Sequence, residues 1–111
     1  MSEILIIDNN LTRAGLLSVK LKEAEHHVTV GSIITDAEIF INQKLIFPDF
    51  IIAIFDSISE EDWKRLKEIA GETEIILYIN PQEKIPNSIP STYIRHNPIQ
   101  VDELLARLNS N

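Results

Sequence analysis

Residues 48–59 read PDFIIAIFDSIS: a proline and an aspartate, an unbroken apolar run from Phe50 to Phe55, and then Asp56 immediately past its end. A short run of this kind, rich in β-branched and aromatic residues and closed by turn-forming neighbours, predicts a strand buried on both faces. Such a strand needs helices above and below it, so its neighbours in the chain should alternate between strand and helix. They do. Glu74 to Ile79 is a second run of the same type, and Glu3-Ile-Leu-Ile-Ile7 is a third.

Working outward, Leu11, Ala14, Leu17, Leu21 and Ala24 recur at three- and four-residue intervals with Arg13, Lys20, Lys22 and Glu23 between them, which predicts an amphipathic helix. His27 to Val30 is expected to form a strand. A helix is expected from Thr35, with Thr35 and Glu38 at capping-box spacing and Ala37, Phe40 and Ile41 facing inward. Ser59 with Glu60, Glu61 and Asp62 caps and charges a third helix, whose inner face is Trp63, Leu66, Ile69 and Ala70 and whose end is Gly71. The stretch from Asn80 to Pro90 holds Pro81, Pro86 and Pro90 and forbids a regular helix. Thr92 to Arg95 reads as a fifth strand, and Val101, Leu104, Leu105 and Leu108 as a closing helix. The order βαβαβαβ, irregular loop, βα predicts a doubly wound α/β fold with a parallel sheet and right-handed crossovers.

The chain has 111 residues, enough for one packed core, and a single domain over 1–111 is expected. Its 17 acidic against 10 basic residues give a net charge of −7, which opposes phosphate neutralisation and argues against nucleic acid as a partner. The absence of cysteine removes thiol catalysis, disulfides and cysteine-ligated metals. The longest apolar runs fall far short of the roughly 18–20 residues that span a bilayer. With no basic region ahead of the first strand, a soluble cytoplasmic protein without a signal peptide or membrane partner is expected.

In a sheet of this kind, ligands bind beyond the carboxyl ends of the strands. That gathers Asp8-Asn9-Asn10, residues 54–57, Ile79-Asn80 and Arg95 to Pro98 around one crevice. The four strand-end stretches ILIIDNN (4–10), PDFIIAIFD (48–56), EIILYIN (74–80) and TYIRHNPI (92–99) resemble those of the receiver domains of bacterial response regulators, in the same order and over nearly the whole chain. The resemblance implies a flavodoxin-like, five-stranded sheet of order 2-1-3-4-5, with the fourth helix replaced by the proline-rich stretch. It also implies two-component (phosphorelay) signalling, in which a histidine kinase passes a phosphoryl group to an aspartate at the end of the third strand. In that scheme an acidic pair after the first strand helps hold Mg²⁺, and a Thr or Ser and a Lys contact the phosphoryl group.

This sequence departs from the pattern position by position. Asp8 matches the first acidic residue, but its neighbour is the uncharged Asn9. The acceptor lies five residues after the equivalent of Asp49, which lands on Ile54. The hydroxyl position falls at Ile79, and the lysine position at His96 or Asn97 ahead of Pro98. Asp56 shares strand parity with Ile54 but lies about 6.6 Å further along, whereas phosphoryl transfer tolerates misplacement nearer 1 Å. The expected function is therefore that of a pseudo-receiver: a domain in two-component signalling that works by protein–protein interaction without phosphorylation, is not an enzyme and needs no cofactor. The alternative is a conventional receiver with Asp56 as phosphoacceptor and Mg²⁺ on Asp8 and Asp56. Failing a working pocket, Asp56 is a turn residue, and Asp8 to Asn10 serve as a helix cap. A third reading, a small metal-dependent phosphatase, rests on the similarity of Asp8-Asn9-Asn10-Leu11-Thr12 to the nucleophile loop of haloacid-dehalogenase-type phosphatases. It lacks the second aspartate at Asn10 and the length for the later motifs.

The expected partner is a histidine kinase or an output domain. An exposed apolar patch along Ile85, Ile89, Tyr93 and Ile94 would mark a homodimer through the last strand and helix. His26 and His27 are adjacent and should diverge, so no shared metal is expected there. His96 is expected to be a partly exposed polar residue, and Trp63 a core residue.

Overall fold

The computed structural model describes residues 2–80, 84–96 and 98–109. Five parallel strands form one sheet of order β2-β1-β3-β4-β5, with β1 Glu3–Asp8, β2 His27–Gly31, β3 Phe50–Phe55, β4 Glu74–Ile79 and β5 Ile94–His96. Four α-helices lie among the described residues: α1 Leu11–Glu23, α2 Ile34–Asn42, α3 Glu60–Ala70 and α4 Val101–Asn109. The doubly wound architecture and strand order are those expected. None of the helices is long and apolar enough to cross a membrane.

The continuous apolar runs are explained by two cores, one on each side of the sheet. Leu5, Ile7, Ile51, Ala53, Leu77 and Ile79 pack with Ala37, Trp63 and Leu66 on the α2/α3 side. Ile4, Ile6, Ile52, Ile54, Ile76 and Tyr78 pack with Leu17, Leu21, Leu104 and Leu108 on the α1/α4 side. Odd and even positions thus take opposite faces, as the two-residue repeat of a strand demands. By that parity Asp8, the last residue of β1, points to the α1/α4 side, where it is paired in register with Ile54 of β3.

Two elements begin elsewhere than the sequence reading placed them. Helix α2 starts at Ile34 and is capped by Asp36, whose carboxylate accepts from the N–H groups of Ser32 and Ile33. Thr35 and Glu38 are engaged elsewhere: the Arg65 guanidinium donates to both and fastens α2 to α3. Those hydrogen bonds hold the Glu38 carboxyl below its ordinary range. A side chain at Gly31 would crowd this start, because a Cβ there would come within 3.1 Å of Asp36 Cβ. The third helix, by contrast, is capped as expected by Ser59 and Asp62, and it ends at Gly71 with φ of 57°.

The second difference is at β5, which spans Ile94–His96 rather than Thr92 to Arg95, because Ser91–Tyr93 form a 3₁₀ turn. The Tyr93 N–H donates to the Pro90 carbonyl and is not available to the sheet ladder. No helix occurs among the described residues between β4 and this turn. Its place against α3 is taken by side chains. Ile89 is buried, and Ile85, Tyr93 and Ile94 pack against the core. These residues therefore do not form the exposed apolar patch that would have marked a homodimer. The Tyr93 ring stands edge-on to Trp63 at 5.1 Å between centroids, and the Lys67 ammonium lies 4.9 Å from the Tyr93 centroid and 5.7 Å from that of Trp63.

The two histidines at the α1–β2 junction diverge, His27 being exposed and His26 buried. His26 Nδ1 accepts from the Ser2 N–H, and burial lowers its pKa below the ordinary 6.5. Since the folded chain binds this proton less readily than the unfolded one, stability should be full above the ordinary value and fall as the solution is acidified. Thermal melts between about pH 7 and pH 5 should show this decline, and His26→Gln, which does not titrate, should flatten it. An unchanged slope in the variant would exclude His26 as its source.

Candidate functional site

The carboxyl ends of the strands bring together most of the residues the sequence singles out, though not as a metal centre. Ile54 is 1% exposed and closes the tip of β3 with a branched hydrocarbon. Strand β3 ends at Phe55, one residue short of Asp56. That residue lies in the turn before α3, with its side chain 67% exposed. Ile79 is fully buried against the α2/α3 core, and on the Asp8 side of the sheet the β4 neighbour of Ile54 is Tyr78. Burial raises the pKa of the Tyr78 phenol.

Asp8 is fully buried. An isolated buried carboxylate is strongly disfavoured, and here it is compensated by one residue above all, Arg13. Arg13 Nε donates to Asp8 Oδ2 and Nη2 donates to Oδ1, both at 2.7 Å, in the bidentate geometry that guanidinium and carboxylate share. Asp8 Oδ1 also accepts from the Asn10 N–H at 2.9 Å. Asn10 in turn caps α1, its side chain accepting from the Arg13 N–H at 3.0 Å. The second carboxylate of the crevice, Asp56, lies 3.7 Å from Arg13 Nη1. Arg13 thus bridges the tip of β1 and the turn after β3. Hydrogen bonding to Asp8 is the largest influence on its guanidinium and pushes its pKa up from an already basic value, so it stays a cation.

Two grooves flank Asp56. One, of about 310 Å³, lies toward α2 and α3 and is lined by Asn9, Thr35, Ser57 and Arg65 among others. The other, of about 860 Å³, lies between α1 and the start of α4; Arg13, Leu16, Asn80, Pro98 and Ile99 contribute to its lining. Leu16 is 68% exposed there, an apolar surface on α1 that the hydrophobic spacing did not single out. Asn9 and Asp8 therefore serve opposite sides of the sheet. His96 is exposed and lines a separate groove with Tyr78, Arg95 and Glu103. Asn97 lies outside the described residues.

Arg13 is the residue that the sequence reading did not assign to the site. Its signal was a cation in the first turn of a helix that carries no acidic residue there, against the preference set by the helix dipole.

A doubly wound parallel sheet with its crevice at the strand tips defines the class. Within that class the chain has the fold of response regulator receiver domains. It superposes on a receiver domain protein, described as CheY-like, from Methanospirillum hungatei with a TM-score of 0.80 at 14% identity, covering 99% of this chain and 92% of that one. A receiver domain protein from Clostridium thermocellum gives 0.79 at 18% identity, with 99% and 93% covered. The receiver domain of a Francisella response regulator gives 0.74 at 18%, with 99% and 95% covered. No protein-family model matches the sequence, and no curated protein matches it.

Receiver-type chemistry implies Mg²⁺, a hard cation that binds through oxygen ligands, carboxylates among them. The residues here do not fit it. Both Asp8 oxygens already receive N–H donors, residue 9 is an amide, and Asp56 faces solvent with a guanidinium beside it. Among the described residues no three His, Asp or Glu side chains gather into a cation site.

Proposed function

We propose that the chain is a single receiver-like domain that acts in two-component signalling by binding other proteins, without accepting a phosphoryl group and without enzymatic activity of its own. The observation that carries this reading is Ile54. It occupies the strand-tip position where the family places its acceptor, is buried, and pairs in register with Asp8. A hydrocarbon offers no oxygen for transfer, and the exposed Asp56 belongs to the following turn. The receiver fold of the neighbours supports a histidine kinase or an output domain as partner. The acidic balance and the lack of a spanning helix among the described residues are compatible with a cytoplasmic setting.

Incubation with acetyl phosphate and Mg²⁺, followed by intact-mass measurement, should leave the mass unchanged. A gain of about 80 Da, the mass of one phosphoryl group, that disappears in Asp56→Asn would replace this reading with that of a conventional receiver using Asp56.

A further inference from the structure

Arg13 departs from helix physics in a way that its neighbours explain. It stands in the first turn of α1, where the backbone dipole favours anions, yet that turn contains no acidic residue. Its side chain instead reaches back to the strand tips, with two hydrogen bonds of 2.7 Å to the buried Asp8 and a third nitrogen 3.7 Å from Asp56. A positive charge between carboxylates at the end of β1 and in the turn after β3 satisfies the same electrostatic demand that a hard divalent ion satisfies among oxygen ligands.

We propose that Arg13 is a built-in counter-ion, whose guanidinium holds the position between Asp8 and Asp56 that a free divalent cation would need and keeps such ions out. Mg²⁺ requires oxygens at about 2.0–2.1 Å. At Asp8 both oxygens are already covered by donors at 2.7–2.9 Å. An incoming ion would have to displace a bidentate fork fixed to the same chain, and it would meet a like charge while doing so. The planar fork also explains why arginine stands here, since lysine presents a single point charge that cannot cover both oxygens. This inference does not depend on Ile54: a domain that accepts no phosphoryl group could still bind a metal.

The test is Mn²⁺ uptake, followed by loss of the electron paramagnetic resonance signal of the free ion. The wild type should show no uptake that depends on Asp8. Arg13→Gln, which removes the charge but keeps an amide donor, should bind Mn²⁺ at least ~10-fold more tightly than the wild type, and adding Asp8→Asn should abolish that gain. Arg13→Lys, which keeps the charge, should stay nearer the wild type. Should Arg13→Gln be too unstable to fold alone, Mn²⁺ should restore its circular-dichroism melt. Asp8-dependent uptake by the wild type would overturn the proposal, as would Arg13→Gln that neither binds Mn²⁺ nor is folded by it, or equal uptake by Arg13→Lys and Arg13→Gln. Wild-type uptake without a mass gain from acetyl phosphate would sink this inference alone and leave the proposed function standing.

Discussion

Arg13→Ala should destabilise the fold by about 2–4 kcal/mol, somewhat less than for a fully buried pair, because Arg13 itself is 28% exposed. Most of the loss comes from the residue left behind. Asp8 has no exposure, and among the described residues the donor that remains to it without the guanidinium is the Asn10 N–H. Thermal unfolding should move down by roughly 10–20 °C. Asp8→Asn should be milder, since a partly exposed guanidinium can turn to water whereas a buried carboxylate cannot. The double variant should therefore be less destabilised than the sum of the two singles, with a coupling of about 1–3 kcal/mol in a double-mutant cycle. Strict additivity would mean that the two side chains do not depend on one another.

The second large effect is expected at Trp63. Truncation to alanine removes an almost fully buried indole from the α2/α3 core, together with its edge-on contact to Tyr93 and its share of the Lys67 cation–π pair. Changes of this kind cost about 3–5 kcal/mol, measurable as a shift in the denaturant midpoint. The position matters because Tyr93 and its neighbours pack against α3 in a stretch that holds no α-helix among the described residues. Tyr93→Leu, which retains bulk but loses the ring contact and the hydroxyl that accepts from Lys67, should cost much less, on the order of 1 kcal/mol. If both variants unfolded at the same midpoint as the wild type, Trp63 would not be anchoring this side of the sheet.

The strands with both faces buried were legible because their requirement is local and simple: every side chain must be apolar. Phe50–Phe55 and Glu74–Ile79 begin and end where the runs do. The start of α2 was misread because two overlapping patterns compete within a few residues. Thr35 and Glu38 have the right spacing, but Asp36 reaches the free N–H groups first and Arg65, distant in sequence, claims the other two. The end of β4 was found, yet the start of β5 was not, because a hydrogen bond from Tyr93 to Pro90 decides it and the sequence does not record where a donor is spent.

At the site, counting along the chain was enough to single out Ile54, which the fold buries near the tip of β3 in register with Asp8. Arg13 was read as one of several polar residues on the outer face of an amphipathic helix. Helical periodicity assigns a side of the helix but does not say how far a long side chain reaches, and this one turns back over the strand tips. Parity put Asp56 on the side of Ile54, and it does lie beside Arg13 there; what alternation could not say is that β3 stops one residue earlier and leaves Asp56 exposed in the turn.

Strand β5 pairs with only the last half of β4, from Leu77↔Ile94 to Ile79↔His96. The sheet therefore has one rim whose backbone protons are guarded by a three-residue partner, while those of β1 and β3 are enclosed between strands on both sides. Solvent deuterium would enter at that rim through small local openings long before it reached the centre. Whatever docks beside β5 meets the part of the sheet that yields first, and by ordering it would slow that exchange.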